Sequence, residues 1–259
     1  MAHRWIALAL VLGLTVLNGL SPTGPAGAET LSQSLIDTRI ALALRVGQAE
    51  LQRWLPASWQ VDPVATGPSK DANLMMTFID RLLDQDAEGK PVGVPTYRVV
   101  ALSIPAKHPQ IGPASLSIRG FNSSSEGVPG FYKSAVPATI RREQTLKGPS
   151  GEPGSVAEWW EMRDSKGGTI ELRVQYQRGT PSRVKGEVKP RSGVDPALWR
   201  IYRFEQGVDV VRSVPAGIDR VQSYQLRVSV PELAKLFDGS EQLVSIAAIP
   251  WYTRQTFLP

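Results

Sequence analysis

The sequence predicts a mainly β fold, with two or three short helices attached to a sheet. Three observations carry the prediction. Apolar residues recur mostly at every second position, as on strands with one buried face. The 23 glycines and 21 prolines of the 259-residue chain fall mainly between those runs. Only two segments show helical spacing, and both are short.

The first 28 residues stand apart from this pattern and read as a cleaved secretory signal peptide. Arg4 is the positive end, an apolar run follows from Trp5 to Leu20, and Ala26-Gly27-Ala28 supplies the small-residue cleavage site before Glu29. The apolar run, broken by Gly13 and Asn18, falls short of the roughly 20 residues a membrane span needs. No twin arginine is present, which points to the general secretion route. The expectation is a secreted or periplasmic protein with no stable membrane span once Ala28 is cleaved. Without a cysteine it is not a lipoprotein, has no disulfide and offers no thiolate metal site. Residues 29–259 then form a single domain that must rely on its core.

Within that domain, Ile40, Leu42, Leu44 and Val46 alternate as the first strand. Residues 49–55 place Leu51, Trp54 and Leu55 at helical spacing before Pro56 stops them. Strands follow at 74–83, 97–104 and 115–122, then a long irregular stretch at 147–155. The firmest local expectation is a hairpin. Residues 157–163 and 169–178 are its arms, the second alternating Ile170, Leu172, Val174 and Tyr176 with polar residues, and Asp164-Ser165-Lys166-Gly167-Gly168 turns between them. Later strands are expected at 198–204, 224–230 and 242–251. Pro231 to Phe237 reads as two helical turns, with Ser229 and Glu232 at capping-box spacing.

The inventory of reactive residues excludes several chemistries. Beyond the first 28 residues the only histidine is His108, in what reads as a loop, so multi-histidine metal sites are ruled out. No nucleophile elbow, phosphate loop or dinucleotide fingerprint occurs, and neither a metal nor a cofactor is expected. The formal charge of +5 loses one unit with Arg4 and is too scattered for a nucleic-acid surface. In Glu158-Trp159-Trp160-Glu161 the two acids fall on opposite faces of a strand, which argues against a paired-carboxylate sugar site. An amine nucleophile remains, and Lys147, approached through Arg141 and Arg142, is its candidate, with a solvated loop lysine as the plain alternative.

Several segments resemble the acetoacetate decarboxylase superfamily: Leu51-Gln52-Arg53-Trp54-Leu55-Pro56, the strands at 74–79 and 97–104, and above all Gly130-Phe131-Tyr132 followed by Ala138-Thr139-Ile140-Arg141-Arg142-Glu143. The resemblance implies a cone-shaped antiparallel β-barrel around an apolar pocket, with Arg142 and Glu143 at the family's Arg-Glu. It also implies a Schiff-base lysine, for which only Lys147 is available. The family's second lysine is missing, and so is its acid near Tyr97-Arg98-Val99.

Two function classes follow, with a structural or interaction role in the envelope as a third. One is an exported, non-catalytic barrel that holds a small hydrophobic or carboxylated molecule, with Arg142 or Arg254 as anion contacts and Trp251 or Tyr252 as apolar wall. The other is a carbon-carbon lyase of the decarboxylase type, using Lys147 and Glu143.

Overall fold

A computed structural model describes residues 29–94, 96–149 and 154–259, so the expected signal peptide and part of the 147–155 stretch lie outside the described residues. In chain order the elements are β1 (Thr30–Arg45), α1 (Gln48–Gln52), β2 (Gln60–Val61), β3 (Leu74–Gln85), β4 (Tyr97–His108), β5 (Gly112–Asn122), β6 (Ala135–Lys147), β7 (Ser155–Asp164), β8 (Thr169–Gln177), β9 (Ser182–Val188), β10 (Arg191–Ser192), β11 (Ile201–Ser213), β12 (Ile218–Asp219), β13 (Val221–Val228) and β14 (Gln242–Leu258). Single 3₁₀ turns stand at Ser125–Gly127 and Pro231–Leu233. Among the described residues no helix is long and apolar enough to cross a membrane.

The fold is mainly β, as expected, and is built on one 14-stranded sheet in the order β12-β11-β14-β1-β3-β4-β5-β6-β7-β8-β13. Neighbours are antiparallel except β5 with β6 and β5 with β10. The end strands β12 and β13 do not pair, so the sheet is open where a closed barrel was expected. β6 makes the bend. Its first residues pair with Gly120 to Asn122 of β5, and from Ala138 onward it pairs only with β7.

This bend lays β7 and β8 over the inner face of β1, β3, β4 and β5. Ile40, Leu42 and Leu44 meet Leu74, Met76 and Phe78, then Val100, Leu102 and Ile104, all shielded from water. Ile140, Trp160, Met162, Ile170, Leu172 and Val174 close the core from the other side, with Trp160 tilted against Phe78 at 5.6 Å between ring centres. Alternation in register is the cause: residues opposite one another share a face, so one buried member of each pair buries the next.

The expected hairpin is β7–β8. Asp164 Oδ1 accepts the backbone N–H groups of Lys166 at 2.8 Å and Gly168 at 2.7 Å, and Gly167 takes φ +86°. Elsewhere the structure departs from expectation. The second helix is one 3₁₀ turn, and its capping box is not formed: Ser229 Oγ accepts Thr169 N–H while Glu232 pairs with Arg119 at 2.6 Å. His108 ends β4 instead of lying in a loop, and packs on Trp59. β6 and β9 were not expected as strands, and β1 begins ten residues before Ile40.

Candidate functional site

Where β6–β8 diverge from β1 and β14, the core gives way to a cleft with a volume of about 240 Å³. That is the space of about eight water molecules. Parity decides what faces it. On β6 the inward residues after Ile140 are Arg142, Gln144 and Leu146, and their partners on β7 are Trp160, Glu158 and Val156. β8 contributes Tyr176 opposite Val156, and the far wall is Thr38, Ala248, Ile249, Pro250 and Asp209.

Glu158 is the organising group. Its carboxylate accepts Arg142 Nε at 2.9 Å, Trp160 Nε1 at 2.7 Å and Gln144 Nε2 at 3.2 Å. Arg142 also donates through Nη1 to Thr38 Oγ1 at 2.8 Å and to Asp80 Oδ2 at 2.9 Å, which stitches β6 to β1 and β3. Asp80 is shared with Arg98 at 3.0 Å. Arg142 thus holds the two layers together through its Nε and Nη1.

Two groups at the cleft are less committed. Burial, then the negative charges of Glu158 and Asp209, push the Tyr176 phenol well above the ordinary tyrosine range, so it stays a neutral hydroxyl donor. Arg178, one β8 residue past the strand end on the same inward parity, makes no ion pair or side-chain hydrogen bond among the described residues. Asp209, by contrast, is occupied by Arg220 and by Gly179 N–H at 2.7 Å.

The residues singled out in the sequence scatter. Arg142 lies in the cleft. Glu143 and Lys147 alternate with it on the opposite, exposed face of β6. Tyr252 is buried on the reverse face of the sheet, stacked on Phe204 at 5.7 Å with Arg39 over its ring at 3.3 Å. Arg254 shares that face, and Trp251 lies over Gly207, which leaves no room for a side chain there. Glu158, Asp80, Tyr176 and Arg178 were not singled out as ligand contacts. A polar residue at the inward parity of an otherwise apolar strand is the signal that would have found the first three.

A wider depression of about 430 Å³ runs over the outer surface of β1, β14, β11 and β9. Of its three cations, Lys185 pairs with Glu205 at 3.3 Å and Arg203 with Glu187 at 2.9 Å and with Glu29, while Arg254 has no ion pair among the described residues.

No protein-family model and no curated protein matches this sequence. Solved structures do match its fold. An acetoacetate decarboxylase-like enzyme from Sphingomonas wittichii RW1 aligns with a TM-score of 0.54 at 13% identity, covering 94% of this chain and 99% of that one. The enduracididine biosynthesis enzyme MppR, complexed with pyruvate, gives 0.55 at 13% identity with 93% of each chain covered. Acetoacetate decarboxylase from Legionella pneumophila gives 0.52 at 10% identity, covering 95% and 98%. These likenesses span nearly the whole of the described chain, and they establish that it has the acetoacetate decarboxylase-like fold.

Proposed function

We propose that this chain is an exported binding protein that holds a small carboxylated molecule in the cleft between β6–β8 and β1–β14, without lyase chemistry. One observation carries the reading: every lysine of the chain is solvent-exposed, Lys147 included. A Schiff-base lysine must lose its proton near neutral pH, and that requires a desolvating pocket or a neighbouring cation in a closed site. An ammonium in open water keeps its proton. The cleft instead offers Arg178 and the Tyr176 hydroxyl for a carboxylate, with Leu146, Val156, Ile249 and Pro250 as apolar wall for the remainder. Arg142 contributes by fixing Glu158 rather than by touching the ligand.

The reading is tested by calorimetric titration with a series of short keto and aliphatic carboxylates. The expected result is saturable binding that weakens about ten- to a hundredfold in Arg178→Gln, the loss of one charge-assisted contact. Borohydride treatment with a β-keto acid should leave the mass of the protein unchanged. A trapped adduct on Lys147 would overturn the proposal in favour of the lyase. Export is checked separately: the protein recovered from outside the cytoplasm should begin at Glu29.

A further inference from the structure

The reverse face of the sheet buries a second set of charges that do not balance. Asp37 is wholly buried and is gripped by Arg39, Nε to Oδ1 at 2.6 Å and Nη2 to Oδ2 at 2.9 Å, with Arg81 Nε 3.4 Å away. Asp84 is equally committed, accepting Gln33 at 2.6 Å, Tyr97 at 2.9 Å and Arg81 at 3.4 Å. Register puts Arg254 among them: it is opposite Leu35 on β1 and Phe204 on β11, while Asp37 is opposite Tyr252 and Arg81. Three guanidinium groups thus meet two carboxylates. Arg254 is the one left over, with no ion pair or hydrogen bond to any described residue, and its Nε is sealed from solvent. Its guanidinium lies 3.8 Å from the centre of the Tyr202 ring.

A hydroxyl proton is left over at the same place. Tyr132 and Tyr202 share a single hydrogen bond of 2.7 Å, which uses one of their two protons. The other has no acceptor among the described residues. Arginine does not discharge by losing its proton, so an unpaired buried guanidinium is costly until something negative accompanies it. Arg254 and the spare hydroxyl donor, side by side, both call for an anionic acceptor, and Arg200, stacked on Phe131 and likewise without an ion pair among the described residues, adds positive charge beside Tyr132.

From this coincidence we propose that Arg254 and the Tyr132–Tyr202 pair form a site for a small monoanion, a simple carboxylate or a halide, on the reverse face of the sheet and separate from the cleft. The anion completes the charge balance of the Asp37–Arg39–Arg81–Asp84 cluster and acts as a structural ligand.

Thermal unfolding of the full protein is measured in sodium formate and in sodium chloride, each replacing gluconate at constant ionic strength. The melting temperature should rise saturably with at least one of the two, by about 5 °C at a hundredfold excess over Kd. Formate and chloride tell the two kinds of anion apart. Arg254→Met should abolish the rise and melt no lower than the wild type in gluconate, because the uncompensated charge has gone. Tyr202→Phe should fold normally and bind the anion about tenfold more weakly, which keeps the test intact if Arg254→Met does not fold. An anion-independent melting temperature overturns the site, as does an undiminished response in Tyr202→Phe. Loss of the response in Arg178→Gln would place the anion in the cleft instead, overturning this site and leaving the proposed function standing.

Discussion

At the scale of single residues, Glu158 shows how a charge can be structural at one strand position and dispensable three residues further on. It gathers Arg142, Trp160 and Gln144 and through Arg142 reaches Asp80 and Thr38. Glu158→Gln should cost about 1.5–3 kcal/mol in urea denaturation, since it removes one of the two carboxylates, Glu158 and Asp80, that hold Arg142 at 2.9 Å. Glu161→Gln, on the exposed face of the same strand, should cost under about 1 kcal/mol because its pairing with Arg163 is solvated. The sequence did separate these two acids by face, and it did pick out Arg142. It could not assign Glu143 and Lys147 to a face, because composition near a family-like motif says nothing about parity until the strand is recognised. Arg178 was illegible for a different reason: that no described side chain pairs with it emerges only from long-range placement.

At the scale of elements, the β7–β8 hairpin was fully readable, since both its turn chemistry and its alternation are local. What the sequence did not disclose is that Gly168 is pressed against another element. A Cβ there would stand 2.8 Å from the Cα of Val230 and 3.1 Å from Pro231 Cδ, at the 3₁₀ turn. Gly168→Ala should therefore destabilise the protein by about 1–3 kcal/mol, an overpacking cost. Gly167→Ala meets no neighbour but must hold φ +86°, and should cost about 1 kcal/mol. Chemical denaturation of the pair should rank them in that order; the reverse order would mean that the 3₁₀ turn yields. β6 escaped notice because its apolar inward positions give way to Arg142 and Gln144, so period two is masked just where the cleft begins. The early part of β1 is hidden likewise by Asp37 and Arg39, and by the bulge that sets two β14 residues, Pro250 and Trp251, against the single Thr38.

For the whole molecule, period-two patterning was enough to predict the fold class, while closure depends on long-range pairing that no local pattern encodes. Global stability should show a distinctive alkaline limit. Burial raises the phenols of Tyr97, Tyr132, Tyr176 and Tyr224 above their ordinary value in each case. A folded value above the unfolded one of about 10 means stability is complete below pH 10 and declines as pH rises beyond it, because only the unfolded chain ionises there. Absorbance of tyrosinate and circular dichroism followed together should change in one transition; four phenols titrating at pH 10 with the sheet intact would contradict their burial. β6 has one more consequence, for mechanics. Among the described strand pairs, the layer formed by β7, β8 and β13 joins the rest only through Ala135, Val136 and Pro137; away from that edge a backbone clip at Arg220, which accepts Gln177 N–H and donates to the Val211 carbonyl, side-chain packing and the Arg142 knot hold it shut. Such a joint behaves as the spine of a book: amide exchange in β7 and β8 should report a shared opening of that leaf, at lower free energy than exchange in β1 and β3.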